Sequence, residues 1–282
     1  MKLIIKDVNY NDKYFSVIIG NRKTYFYLTS RLNKIFLNSL RKGLLVDFEI
    51  GKNKRRINAK ICYQVAYFNR ITDLKTKRDF YNHSKLKSDM LNFLEKNEHY
   101  LFIDFEMTLP KYRQKNFKVE ILQYGYLLVN KKGETIIEND NYLKTIIQYP
   151  PSSRTLGFLS IDKDEYINNH ILFKDFYLEL KEILETYNPK IVVWGKNDIL
   201  SLDLAYEIHR LVPITKREDF VDLLKLHRDY FNLANDLGLF KAYETYSLKR
   251  EEQVHDATYD AKVTKKVFDS FIAYSKNEVY NK

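Results

Sequence analysis

The segment F-I-D-F-E-M-T, residues 102–108, sets an apolar strand against two carboxylates spaced two residues apart. The two-residue period of a strand places Asp104 and Glu106 on the same face. Two acids on one face repel each other and cost free energy unless a cation lies between them. A divalent metal ion meets that need, because hard cations favour carboxylate oxygens. By itself the pattern equally fits a half-exposed strand whose polar face is acidic.

Further along, I-V-V-W-G-K-N-D at residues 191–198 gives a second buried strand, broken by Gly195, with Asp198 at the start of the next helix. In open α/β sheets ligands gather beyond the carboxyl ends of the strands. Asp198 and the Asp104–Glu106 pair are expected at such ends, although Asn197 or Asp198 would also serve as an ordinary helix cap. The third segment is H-D-A-T-Y-D-A, residues 255–261, which opens a long helix. Ala257, Ala261, Thr264, Phe268 and Phe271 recur at spacing three and four, so that stripe faces a core. Asp260 lies on or beside the stripe, and a carboxylate facing a core needs a cation or a full set of hydrogen bonds. His255 stands just before the helix, within reach of the same place.

These three segments, in this order, resemble the motifs of the DEDDh 3′–5′ exonucleases, a group with a ribonuclease H-like fold that includes proofreading exonucleases, ribonuclease T and oligoribonuclease. The resemblance spans roughly residues 100–275. It extends to E-I-L-Q-Y-G-Y and F-V-D-L-L-K-L, which look like the family's second strand and the strand before its last helices. W-G-K-N-D is similar to the W-G-x-x-D of the Eri-type and KapD-type branch, which acts mainly on RNA. Proofreading relatives instead carry G-H-N followed by an apolar residue and Asp. Counting on from Gly195, their acid would fall near Ser201, which cannot hold a metal, and Asp203 is the nearest alternative to Asp198. The aromatic residue that often precedes the acid in the branch is Asn197 here.

The resemblance implies that Asp104, Glu106, Asp198 and Asp260 bind two Mg²⁺ or Mn²⁺ ions. It also implies that His255 takes the proton of the attacking water, and that nucleoside 5′-monophosphates leave one at a time from a 3′ end. The backbone at Met107 and Thr108 is expected against the terminal ribose, and an aromatic such as Phe158 against an end base. Single-stranded nucleic acid is the implied partner, RNA ahead of DNA. A DNA exonuclease of repair or proofreading, or a nucleic-acid-binding protein without turnover, are the alternatives.

The charge is uneven. Residues 1–99 hold 21 Lys/Arg against 9 Asp/Glu, a net of +12, and residues 100–282 hold 26 against 28, a net of −2. A basic first third fits a polyanion such as nucleic acid, or a merely solvated surface. Its densest stretch is G-K-N-K-R-R, with Lys52, Lys54, Arg55 and Arg56 expected on a turn as phosphate contacts. Strand-like runs at 2–8, 13–20 and 23–29, a helical period over 30–42, and further strands at 44–50 and 57–68 give the order of an OB-fold, a small barrel that often binds oligonucleotides; a different small β-barrel or an unrelated α+β module fits the same order. The expected organisation is therefore a basic β-rich, OB-like domain over 1–70, a helical connector over 71–99, and an α/β exonuclease domain over 100–282 with a mixed sheet flanked by helices. In that last domain strands are expected at 100–106, 120–130, 134–139, 190–194 and 219–222. Helices are expected at 173–187, 198–210, 223–233, 246–252 and 256–274. Cys62 is the single cysteine, which excludes an intrachain disulfide and a cysteine-based zinc site and fits a reducing compartment. With no signal-peptide core and no apolar run near the ~20 residues that span a bilayer, a cytoplasmic protein without a membrane partner is expected.

Overall fold

The computed structural model describes residues 1–110, 115–248 and 255–280. The chain forms two compact units, Met1–Met90 and Leu91–Lys282.

In the first unit, β1 (Lys2–Asn9), β2 (Tyr14–Ile19) and β3 (Arg22–Tyr27) make an antiparallel meander. Helix α1 (Ser30–Phe36) follows, with the Thr29 side chain accepting from the Leu32 N–H as its cap. Strands β4 (Leu44–Ile57) and β5 (Lys60–Asp73) then form a long hairpin. With a sixth strand, β6 (Arg78–Asn82), the order is β3-β2-β1-β4-β5-β6, and a parallel β3–β5 pairing closes the first five strands into a ring. Phe15, Phe26, Phe48 and Phe68 fill the ring with centroids 4.9–6.2 Å apart. Each such buried phenylalanine contributes about 1.5–3 kcal/mol over leaving it exposed.

Two expectations change here. Residues 52–56 lie within β4 and not on a turn, because the chain reverses at Asn58 and Ala59, both with positive φ. Lys54, Arg55 and Arg56 pair across the hairpin with Tyr63, Cys62 and Ile61. The segment 71–99 is helical only from His83 to Glu95 (α2). Before that, β5 runs on to Asp73 and pairs with β6 (Arg78–Asn82). Asp79 holds this added hairpin through Arg70 at 2.9 Å and Thr72 at 2.7 Å.

The second unit is built on a five-stranded sheet in the order β11-β10-β7-β8-β9. Strands β7 (His99–Met107), β8 (Ile121–Asn130) and β9 (Thr135–Tyr142) are antiparallel neighbours. Strands β10 (Lys190–Val193) and β11 (Phe220–Asp222) add on parallel to β7. The sheet is thus mixed. Alternation divides β7 cleanly. Leu101, Ile103 and Phe105 join a core with residues of α5 (Phe173–Tyr187) and α6 (Asn197–His209). On the opposite face Tyr100 and Phe102 meet Phe268 of α9 (Ala257–Tyr280), with ring centroids 4.9 and 5.2 Å apart. Asp104 and Glu106 are therefore directed to the α9 side.

Between β9 and α5 lie two short helices, α3 (Ser153–Phe158) and α4 (Lys163–Asn169), which the sequence reading passed over. After β11 come α7 (Leu223–Tyr230) and α8 (Leu239–Ser247). The helix expected at 246–252 is displaced toward the N-terminus as α8, and residues 249–252 lie outside the described residues. Among the described residues no helix is long and apolar enough to cross a membrane.

Candidate active site

Three elements converge at the end of β7. Asp104 sits opposite Gly125 of β8. A side chain at Gly125 would be impossible there: a Cβ would fall 2.2 Å from the Thr258 backbone nitrogen. The glycine lets the first turn of α9 lie directly on the sheet, as a glycine inside a strand permits a close approach. Asp256 fastens that turn. Its carboxylate accepts from the Tyr259 N–H at 2.8 Å, as a helix cap, and from the Gln123 side-chain amide at 3.2 Å. Thr258 donates to Asp140 of β9 at 2.8 Å. One turn further, Asp260 faces the sheet and is buried.

Asp104, Glu106 and Asp260 each offer a carboxylate oxygen, and these oxygens lie within 4.8 Å of one another. Asp198, brought by the start of α6, is 5% exposed and accepts from the Phe105 N–H at 3.3 Å. Gly195, at φ +103°, makes the turn from β10 that delivers it. Burial drives the carboxyl groups toward their neutral forms, and mutual repulsion adds to it. Glu106 is pushed up to about 8 by desolvation and then by the charges of Asp260 and Asp198. Asp260 is pushed up to about 7 by burial and then by Asp256. Asp104 and Asp198 are raised by burial as well, Asp104 next by the charge of Asp198. One oxygen of Asp260, Oδ1, is buried with no hydrogen-bond partner. Such an arrangement is unfavourable in a bare protein. The all-oxygen donor set and the unpartnered Asp260 oxygen fit a divalent cation, with Asp104, Glu106 and Asp260 as its holders and Asp198 beside Asp104.

His255 has a left-handed backbone, φ +53°, and its Nδ1 lies 4.0 Å from Glu106 Oε1. The ring of Phe158, from the end of α3, lies 4.6 Å from the imidazole, centre to centre. Phe158 is half exposed, so its other face is open.

The remaining sequence candidates divide. Asp203 is half-buried, stands outside the cluster and is bonded to Arg217 at 2.5 Å. Met107 is half-buried at the end of β7, and its sulfur accepts from the Ser201 hydroxyl at 2.7 Å. Thr108 is buried, with its N–H donating to the Glu120 carbonyl and its hydroxyl accepting from the Glu120 N–H. Its N–H is thus spent on the start of β8, which leaves its carbonyl and the hydroxyl's own O–H for a ribose. Lys52, Lys54, Arg55 and Arg56 belong to the first unit, where Arg55 lies 4.0 Å over the Tyr27 ring.

The sequence reading gave no role to Gly125, Gln123, Asp140 or Glu120. Gly125 had a signal, a glycine in the middle of the apolar run E-I-L-Q-Y-G-Y. Glu120 had none. It is buried, and its carboxylate accepts from the backbone N–H groups of Ile146, Ile147 and Gln148 at 2.6–3.0 Å, which shapes the segment leading to α3.

An α/β sheet with carboxylates from two distant segments at the end of its central strand is the frame of a nuclease. A family model described as exonuclease, of the ribonuclease T type, matches residues 101–268, and the chain belongs to that family. Over 171 residues, 60% of this chain and 82% of the relative, it is 28% identical to the probable 3′–5′ exonuclease KapD of Bacillus subtilis (strain 168). The nuclease domain of 3′hExo, a DEDDh family member bound to rAMP, superposes with a TM-score of 0.56 at 16% identity, covering 64% of this chain and 93% of that one. Exonuclease I of E. coli in complex with a dT13 oligonucleotide superposes at 0.50 and 15% identity, over 66% of this chain and 43% of that one. The protein is an enzyme, a 3′–5′ exonuclease of the DEDDh kind.

Proposed function

We propose that the chain removes nucleoside 5′-monophosphates from the 3′ end of single-stranded nucleic acid, RNA before DNA, with two Mg²⁺ or Mn²⁺ ions. The observation that carries this reading is the meeting of the Asp104, Glu106 and Asp260 oxygens within 4.8 Å. Asp104, Glu106, Asp198 and Asp260 are the metal ligands of the reading. Bound divalent ions supply an acidified water and charge stabilisation at the leaving oxygen. Asp256 and Gln123 keep the start of α9, and so Asp260, fixed on the sheet while substrate enters. His255 is the general base: its left-handed backbone and the Phe158 ring hold the imidazole at the rim of the acidic cluster, where it can accept the proton of the attacking water. The Met107 backbone and the Thr108 carbonyl border the position of the terminal ribose. The open face of Phe158 is available to an end base.

The preference for RNA is supported by the W-G-x-x-D form of the middle motif and by the likeness to a nuclease domain bound to rAMP. The first unit is read as an OB-type barrel that holds the strand. The closed ring β1-β2-β3-β5-β4, the parallel β3–β5 closure and the helix between β3 and β4 support it. A reducing, cytoplasmic location completes the reading, supported by the lone Cys62.

Matched RNA and DNA oligomers, labelled at the 5′ end and digested with Mg²⁺ or Mn²⁺, test the whole. The expected result is a ladder that shortens from the 3′ end, 5′-monophosphate products and faster loss of RNA. Release of the 5′ label as a mononucleotide in the first cuts, or products with a 3′-phosphate, would discard the reading.

A further inference from the structure

In the first unit, Phe15, Val17 and Phe26 point into the barrel and are fully buried. The alternate residues of β2 and β3, Tyr14, Ser16, Lys23, Tyr25 and Tyr27, therefore lie on its outer face, with Ser16 opposite Tyr25 and Tyr14 opposite Tyr27. An outer-face serine is expected in water. Ser16 is instead 1% exposed, and its hydroxyl has no hydrogen-bond partner. It lines a cleft of about 430 Å³ together with Asp7, Asn9, Tyr14, Lys23, Tyr25 and Lys60, among others. A buried hydroxyl without a partner carries a desolvation cost that a bound polar group would relieve.

The walls of the cleft are aromatic and cationic. Tyr14 and Tyr25 meet edge to face, with centroids 5.8 Å apart. The Lys60 ammonium lies 5.2 Å from both rings and 2.8 Å from the Tyr14 hydroxyl. Lys23 stands 5.9 Å over Tyr25 and is bonded to Asp7 at 2.5 Å. The same face continues past Tyr27 to the guanidinium of Arg55. Flat π-surfaces interleaved with cations match a ligand that alternates planar rings with anionic groups.

We propose that this cleft binds one nucleotide of a single-stranded nucleic acid. The base lies against Tyr25, the phosphate lies between Lys23 and Lys60, and the Ser16 hydroxyl donates to the bound group. The inference rests on the exonuclease reading only for the source of the strand.

The test uses the full chain carrying Asp104→Asn, so that a strand is held and not cut. Affinity for a fluorescent single strand of about twelve nucleotides is read by anisotropy, with free AMP as competitor. Tyr25→Ser, and Lys23→Ala combined with Lys60→Ala, are each expected to weaken binding about tenfold or more. Tyr25→Phe, which keeps the ring, is expected to restore it. In the chain that retains Asp104, the same cleft substitutions are expected to leave hydrolysis of a dinucleotide unchanged. Lys23→Ala alone, at an exposed site, guards against a loss caused by unfolding. Affinities within twofold of the parent for both Tyr25→Ser and the Lys23→Ala, Lys60→Ala pair would overturn the proposal. Should the cleft variants lose affinity while the unsubstituted chain cuts no strand with any divalent ion, the cleft stands and the exonuclease reading falls.

Discussion

The two units solve opposite problems with similar material. The barrel of the first unit places four phenylalanines at its centre and, Asp73 apart, keeps its charge outside. The sheet of the second unit also has a large aromatic core, but at one end it buries Glu106, Asp198 and Asp260 beside Asp104. Apolar packing stabilises wherever it occurs, whereas clustered buried acids cost stability until something neutralises them. A cost of that kind at the end of a central strand marks the place where the chain trades stability for chemistry.

Several experiments would break or sharpen this contrast. The largest effect is expected from Asp104→Ala or Asp260→Ala. Turnover should fall by at least about a thousandfold, while circular dichroism stays that of the parent. His255→Asn should slow the reaction by about 10²–10⁴-fold without removing metal binding, measured by calorimetry. Full activity at neutral pH in that variant would refute the assignment of the base.

Gly125→Ala should displace α9, because the added methyl meets backbone and not a flexible side chain. The expected outcome is a lowered melting temperature together with near-complete loss of turnover. Unaltered activity would mean that α9 sits further from β8 than described.

A fourth test is the response to pH without metal. The folded-state values of Glu106 and Asp260 are raised from 4.5 and 3.8 to about 8 and about 7. The folded second unit therefore holds more protons than its unfolded chain. Stability should be greatest near pH 4 and should fall as pH rises toward 8. In the first unit, Asp79 is lowered to about 2 by Arg70, then Thr72 and Asn82. Its contribution is present above pH 3.8 and is lost only as pH falls toward 2. Melting of the chelated protein should thus show a second unit that weakens between pH 5 and 8 and a first unit that does not. Saturating Mn²⁺ should remove the difference; a second unit indifferent to both pH and Mn²⁺ would refute the account. The smallest effect is expected from Lys52→Ala, Lys54→Ala and Arg56→Ala together. These exposed strand residues should lower affinity for a long strand severalfold and flatten its dependence on salt.

The acids were legible because each sits in a short segment whose local pattern can be read alone: a strand, a strand end, a helix start. The order of strands in the first unit was legible for the same reason. What escaped was either short or tertiary. S-R-T-L-G-F has too few residues to show a period, yet it forms α3 and carries Phe158 to His255. K-N-K-R-R looks like a turn because it lacks apolar alternation, but an irregular hairpin register keeps it in β4. β6 was hidden because its hold on β5 comes from Asp79, a side-chain contact that hydropathy does not record.

The seating of α9 on Gly125 also has a bearing on protein synthesis. Asp260 is the last of the four carboxylates to leave the ribosome, and it reaches the others only once that helix has formed and docked. A growing chain that already displays its basic first unit therefore has an incomplete acidic cluster. Whatever the cluster does to a substrate therefore waits on the docking of α9.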